Sequence, residues 1–300
     1  MRIRAAVLEE FGQPLVVQEV DLAEPKAGEV LVRLVACGVC HTDLYTASGA
    51  DPSGYSPTVL GHEGAGIVER VGDDVTSVAP GDQVVTLFSP QCRECVHCLS
   101  DRTNLCLANR EQQNQGFLPD GTTRLGRDGE AVRHFMGCST FAEYTVMPEI
   151  ALAKVNPEAP PEHACLFACG LSTGLGAAMN TAKVKPGSTC VVFGAGMVGL
   201  GAVAGCRLQG AERIVSVDLS PGRLDLAKGQ GATDTLVGGP NAVDQILELT
   251  DGFGADYTFE ATGNVAVMRQ AVESARMGWG CARSRASRAR AKCSRSSRAS

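Results

Sequence analysis

The 300-residue sequence predicts an α/β protein: an antiparallel, barrel-like domain over residues 1–150, then a parallel, doubly wound sheet over residues 151–280. Three observations carry this. Short β-branched runs, several ending at Gly or Pro, fill the first half. Strand-like and helix-like segments alternate in the second half, the pattern of parallel strands joined by helical crossovers. The glycine turn GAGMVG (194–199) sits where the first of those strands meets its helix.

In the first half, AAVLEEF, PLVVQEV, EVLVRLVACG, GAGIVERVG and DQVVTLF read as strands. In the second half, CVVFG (190–194) is a buried-strand run, and AGMVGLGAVAGCRLQG is a helix of small residues. RIVSVD (213–218) is a second strand, followed by a helix from near Pro221. A weak strand over 234–237, a helix over 241–250, a strand within ADYTFEATG (255–263) and a helix over 265–277 follow. Sheets of this kind have about six strands, and the pattern supplies four, so the predicted sheet is incomplete. The last segment, CARSRASRARAKCSRSSRAS (281–300), holds six Arg, one Lys and no acid, a charge of +7. Of 27 basic and 33 acidic residues, 20 and 33 then remain in 1–280, a charge of −13. The segment has too little apolar surface to offset its ordering entropy, so a disordered basic tail is expected. It reads either as a binder of anionic partners or as a frameshifted, artificial terminus.

Bulk properties narrow the function. The net charge of −6 argues against nucleic acid as a partner of the body. No window holds the roughly 18 uninterrupted apolar residues of a membrane span, and MRIRAAVLEEFGQPL becomes acidic too early for a secretory signal. A cytoplasmic protein is expected, in which the 13 cysteines are metal ligands or buried thiols rather than disulfides.

Four of them, Cys92, Cys95, Cys98 and Cys106, lie in QCRECVHCLSDRTNLC. The spacing C-x2-C-x2-C-x7-C lets four thiolates converge on one tetrahedral ion, the closed and structural kind of zinc site. An iron–sulfur cluster shares the first three cysteines, but its bacterial form continues C-x3-C-P. Four unconnected thiols are the third reading. His97 reads as solvent-facing. Cys40, His62 and Cys169 are separate candidates. Singly, each reads as a core residue. Together they could form a three-ligand site with one open position, the catalytic type, although spacing alone does not bring them together.

GAGMVG is a G-x-G-x-x-G motif between strand and helix. Gly194, Gly196 and Gly199 allow a tight turn, close approach of a pyrophosphate and close helix packing, and the helix N-terminus favours an anion. Asp218 ends the second strand, placed for ribose hydroxyls. A carboxylate there repels a 2′-phosphate, which favours NAD over NADP. Asp218 also reads as a helix N-terminal residue before Pro221.

ACGVCHTDLY, GHEGAGIVERVG, the four-cysteine loop and CGLSTGLGAAMNTAKVKPGS together resemble the zinc-dependent medium-chain alcohol dehydrogenase family across nearly all of residues 1–280. GADP (49–52), NLCLANR, GFLPDGTTRL and MGCSTFAEYTV further resemble its class III branch, the glutathione-dependent formaldehyde dehydrogenases. The resemblance implies a GroES-like catalytic domain, a Rossmann NAD domain, and two zincs per chain, one catalytic and one structural. It implies that Cys40, His62 and Cys169 hold the catalytic zinc, with Glu63 behind it and entering its shell transiently. Asp43 would fix the His62 tautomer, and Thr42 would bond the substrate oxygen and start a proton relay. His41 would lie near the cofactor pyrophosphate, and Thr173 and Val198 would line the cofactor.

Asp51 and Arg110 match branch positions that hold an anionic thiol adduct, whereas Ser53 stands where the branch often has Glu. The implied substrate is S-hydroxymethylglutathione, another thiol–aldehyde adduct, or a primary, long-chain or aromatic alcohol. The implied assembly is a homodimer or tetramer. Family members also run on past residue 280, so a truncated member with impaired stability and dimerisation is expected. A catalytically inactive product that keeps folded zinc and nucleotide modules is the alternative.

Overall fold

Local alternation of apolar residues builds the first unit of the chain, Met1–Cys169. Its strands are β1 (Arg2–Leu8), β2 (Val16–Leu22), β3 (Glu29–Gly38), β4 (Thr58–Val59), β5 (Glu63–Val71), β6 (Gln83–Thr86), β7 (Leu125–Arg127), β8 (Glu130–His134), β9 (Tyr144–Pro148) and β10 (Leu152–Lys154). The computed structural model describes residues 1–100, 103–278 and 280–284. Strands β1-β2-β7-β8-β4 close a barrel, and β10-β6-β5-β3-β9 form a second sheet. β3 is buried on both faces at its start. Leu31 packs with Ile3, Val20 and Val146, while Val30 and Val32 pack with Val68, Val84 and Met147. This explains why EVLVRLVACG reads as a nearly continuous apolar run.

A charged group is tied into the same unit. Arg124, with a side chain 2% exposed, donates from Nε to Glu29 Oε2 at 2.9 Å and from Nη2 to Asp120 Oδ2 at 2.8 Å. Buried charges persist only when paired in this way.

The second unit, Gly170–Ser300, is a parallel sheet. Its strands are β11 (Thr189–Phe193), β12 (Arg213–Asp218), β13 (Asp234–Val237), β14 (Tyr257–Glu260) and β15 (Cys281–Ser284), in the order β13-β12-β11-β14-β15. β11 feeds two cores. Cys190 and Val192 pack with Ala202, Val203 and Cys206 of the helix Met197–Leu208; Val191 and Phe193 pack with Ile246 and Ala271 on the other face. Helices on both faces make the sheet doubly wound.

Two boundaries and the strand count differ from the sequence reading. The first unit ends at Cys169 rather than at residue 150, because β10 pairs with β6 and Ala164 and Cys165 pack on Ala65 and Val85. The sheet has five strands among the described residues, not four. Its fifth lies in the segment expected to be disordered from residue 281: Cys281 to Ser284 pair in register with Tyr257 to Glu260 of β14. Main-chain pairing needs no apolar pattern, and Ala282, Arg283 and Ser284 are exposed. The tail expected over 285–300 lies outside the described residues. No helix among the described residues is long and apolar enough to cross a membrane.

Candidate metal centres and nucleotide site

The four-cysteine loop closes on itself. Cys92, Cys95, Cys98 and Cys106 offer sulfurs within 4.8 Å of one another. Cys98 Sγ lies 3.6 Å from Cys95 Sγ and 3.9 Å from Cys92 Sγ. Four sulfurs at a Zn–S distance of about 2.3 Å stand about 3.8 Å apart in a tetrahedron, so the donor set fits zinc. Backbone N–H groups of Cys98 and Leu107 pull the Cys95 thiol down to about 6, and Asn109 Nδ2 reaches Cys106 Sγ at 3.8 Å. The loop is a short turn of helix, Val96–Leu99, whose Val96 and Leu99 are exposed. It buries little, so a bound ion would supply much of its folding free energy.

The second donor set draws on the whole first unit. Cys40 precedes the helix His41–Ala47, His62 and Glu63 stand at the start of β5, and Cys169 ends the unit. One donor atom from each lies within 4.8 Å of the others. His62, Glu63 and Cys169 are buried. Asp43, also buried, organises the set: its Oδ1 faces His62 Nδ1 at 3.2 Å and accepts from Gly61 N–H at 3.1 Å, while Oδ2 accepts from Cys40 N–H at 2.9 Å. That leaves Nε2 of His62 for a metal.

A hydrogen bond with Cys169, then bonds to His62 and Thr42, draw the Cys40 thiol down to about 3 against the opposing effect of burial. Burial lowers the pKa of His62, but Asp43 and Cys40 outweigh it and carry it up to about 9. A pocket that favours thiolate and holds a second sulfur and a carboxylate is built for a cation. Thr42 is half-buried, its Oγ1 3.5 Å from Cys40 Sγ.

A cavity of about 170 Å³ in the same unit is lined by Asp51, Ser53, Tyr55, Arg110, Phe88 and Phe135, among others. Phe88 and Phe135 also pack edge-on against the His62 ring, with centroids at 5.5 and 5.9 Å. The cavity therefore borders a ligand of the second donor set. Asp51 and Arg110 meet on this cavity, but differently. Both Asp51 oxygens are engaged locally: Oδ1 by Ser53 N–H and Oγ–H, Oδ2 by Thr46 Oγ1–H. Arg110 is exposed and forms no ion pair among the described residues.

In the second unit, Gly194 adopts φ +90°, and a Cβ on Gly199 would collide with the Gly194 carbonyl oxygen. These two glycines are required by the turn. Gly196 caps the helix Met197–Leu208, whose first turn contains Val198. Asp218 Oδ2 accepts from Ala195 N–H at 2.7 Å and Oδ1 from Ser220 N–H at 2.8 Å. This ties the end of β12 to the glycine turn. Gly194 and Asp218 line a cavity of about 480 Å³ with Arg223, Thr262 and Asn264. Thr173 is half-buried within Gly170–Gly176, and His41 is exposed in the first unit.

Sequence reasoning overlooked two residues. Thr86 donates to the His62 carbonyl at 3.0 Å and accepts from Gly64 N–H at 3.0 Å, which fixes the backbone on both sides of Glu63. Tyr55 Oη–H reaches the carbonyls of His134 at 2.8 Å and Gln113 at 3.1 Å behind the cavity. Nothing local marks either residue, since their partners lie far away in sequence.

Comparisons with known proteins agree with this geometry. The alcohol dehydrogenase GroES-like domain pattern matches residues 26–157, and the zinc-binding dehydrogenase pattern matches 197–283. The chain is 54% identical over 282 residues to an alcohol dehydrogenase class-3 of Myxine glutinosa, covering 92% of this chain and 74% of that protein. It is 53% identical over 284 residues to an S-(hydroxymethyl)glutathione dehydrogenase of Escherichia coli, covering 93% and 76%. The crystal structure of benzyl alcohol dehydrogenase from Acinetobacter calcoaceticus superposes with TM-score 0.87 at 35% identity, over 96% of this chain and 77% of that one. On these similarities, and with both donor sets in place, the chain belongs to the zinc-dependent medium-chain alcohol dehydrogenase family, on its class III branch.

Proposed function

We propose that the chain is a zinc- and NAD-dependent dehydrogenase that takes a hydride from an alcohol, with S-(hydroxymethyl)glutathione-type adducts of a thiol and an aldehyde as its first substrate class. The observation that carries this is the convergence of Cys40, His62, Glu63 and Cys169 beside the aromatic wall of a cavity. When bound, zinc supplies Lewis acidity that lowers the pKa of a hydroxyl, and NAD accepts the hydride.

The chain's own groups do the rest. Cys40, His62 and Cys169 hold the metal, with Glu63 as a further donor and Asp43 fixing the imidazole. Thr42 accepts the hydrogen bond of the alcohol and takes its proton only as it hands its own outward to solvent, as the first link of a relay. Phe88 and Phe135 keep water from the reacting end of the cavity. Arg110, unpaired among the described residues, attracts an anionic substrate tail. Asp51, oriented by Thr46 and Ser53, faces the same cavity as Arg110 and helps to hold that substrate. In the second unit, Gly194, Gly196 and Gly199 admit the pyrophosphate, Val198 and Thr173 line the cofactor, and Asp218 takes the ribose hydroxyls. Cys92, Cys95, Cys98 and Cys106 hold the structural zinc. The domain scheme of catalytic and nucleotide-binding units belongs to the same reading, as does a homodimeric or tetrameric assembly. A cytoplasmic setting is supported by two thiolate donor sets, which need reduced cysteines.

The test is NADH formation with formaldehyde plus glutathione, run beside octanol. The expected result is turnover of the glutathione adduct together with two zincs per chain. Two bound zincs and bound NAD without turnover of either substrate would overturn the reading in favour of an inactive family member.

A further inference from the structure

Gly38 faces Glu63 across the ladder of β3 and β5. Two cancelling bulges decide this: Leu31 pairs with Arg70 but Val32 with Val68, which leaves Glu69 as an extra residue on β5, and a second bulge restores the register. Leu34 pairs with Gly66, but Ala36 pairs with Ala65, so Val35 is an extra residue on β3. Without it, the register would bring Cys37 opposite Glu63 instead.

The backbone of Gly38 does not call for glycine, since its φ is not positive. Space calls for it. A Cβ built there would overlap Glu63 Oε2 and lie 3.1 Å from Glu63 Cβ. The Glu63 side chain therefore lies flat across Gly38. Neighbouring glycines of the same sheet differ: at Gly66 and Gly72 the obstructing atoms include the backbone carbonyls of Arg33 and Lys26, which cannot rotate away. At Gly38 the obstruction is the head of a flexible side chain. That head is also the carboxylate whose oxygen groups with the donor atoms of Cys40, His62 and Cys169.

We propose that Gly38 is a positioning residue: its missing side chain keeps open the seat in which the Glu63 carboxylate rests, so that Glu63 serves as a reversible fourth donor to a metal on Cys40, His62 and Cys169. The proposal rests on the zinc reading above. A side chain at 38 evicts the carboxylate without breaking the sheet, because the severe overlap is with the rotatable carboxylate, while Glu63 Cβ at 3.1 Å has to give by only a few tenths of an ångström.

The experiment uses the full chain and its Gly38→Ala, Glu63→Ala and double variants, loaded with cobalt(II). The visible cobalt bands and the cobalt affinity against a competing chelator are measured. Gly38→Ala is expected to shift the bands and change the affinity by about tenfold or more, as groups that orient ligands do. In the Glu63→Ala background, the same substitution is expected to change neither. If Gly38→Ala fails to fold, Glu63→Ala should restore folding by removing the obstruction. An unchanged spectrum, an equal shift in both backgrounds, or a double variant that stays unfolded overturns the proposal. Two cobalts per chain retained in Cys40→Ser, where one is expected to stay on the four-cysteine loop, overturn the zinc reading and this proposal with it. Cobalt that Cys40→Ser removes, with Gly38→Ala silent, overturns only the role of Gly38.

Discussion

The two donor sets solve the same problem in opposite ways. The loop takes its four sulfurs from residues 92 to 106 and anchors only its last one, Cys106, in buried surroundings, while Val96 is 69% and Leu99 73% exposed. The other set gathers residues from 40 to 169 and is held by buried neighbours: Asp43 on His62, Thr86 on the His62 carbonyl, and two phenylalanines against the ring. In the first, an ion organises the chain. In the second, the folded chain organises the place for an ion. A closed four-sulfur site needs only a flexible loop, whereas an open site with unequal donors needs walls, and walls need a core.

The contrast can be broken at either end. The largest effect is expected from Cys98→Ser, which should release the loop ion and forfeit a share of the order of 10 kcal/mol that such ions contribute. Limited proteolysis should then cut within residues 92–106, while one zinc stays on the buried set. If both zincs leave together, the two sites are not independent.

Cys40→Ser should do the reverse. One zinc is lost and alcohol oxidation falls by at least about 10³-fold, since several kcal/mol of charge stabilisation disappear. The melting temperature should change little. Activity that survives would end the catalytic role of this set.

Asp43→Asn sharpens the comparison further. It leaves all seven sulfur and imidazole ligands in place but removes the charge facing His62. Metal affinity should drop about 10–100-fold at the buried set only, as read by competition with a chelator. An equal drop at the loop would place Asp43 in the general fold rather than in the site.

The last test concerns a buried imidazole of β8, outside both donor sets. His134 is fully buried in β8, and neither ring nitrogen has a hydrogen-bond partner among the described residues. Burial, helped by the charge of Arg124, pushes its pKa down to about 3. The folded form thus holds a neutral ring, while the unfolded chain binds a proton below about pH 6.5. Its contribution to stability is whole above about 6.5 and is lost as pH falls towards 3, by at most ~1.4 kcal/mol per pH unit. Urea melts over this range should flatten in His134→Leu. An unchanged slope would place the acid sensitivity elsewhere.

What could be read in advance follows the same division. The loop was legible because its donors are near one another in sequence, and so was the glycine turn, whose backbone demands act over six residues. Strands with β-branched runs, such as Glu29–Gly38 and Arg213–Asp218, were legible to the residue. β4, β7 and β10 were not, since two- and three-residue strands carry too little pattern to separate from loop. β15 was hidden for a different reason: it is held by the edge of β14, not by its own side chains.

By itself the sequence determined the local chemistry: which residues can bind zinc, where a pyrophosphate can approach, and which halves form which kind of sheet. Tertiary structure alone decided the rest. It placed two cancelling bulges, at Glu69 and Val35, that set Gly38 against Glu63, gave Asp51 Oδ2 to Thr46 of the helix His41–Ala47, and backed the His62 site with Thr86. The reason is range. Spacing and propensity act over a few residues, whereas strand register and side-chain contact are settled by partners brought together only when the cores close.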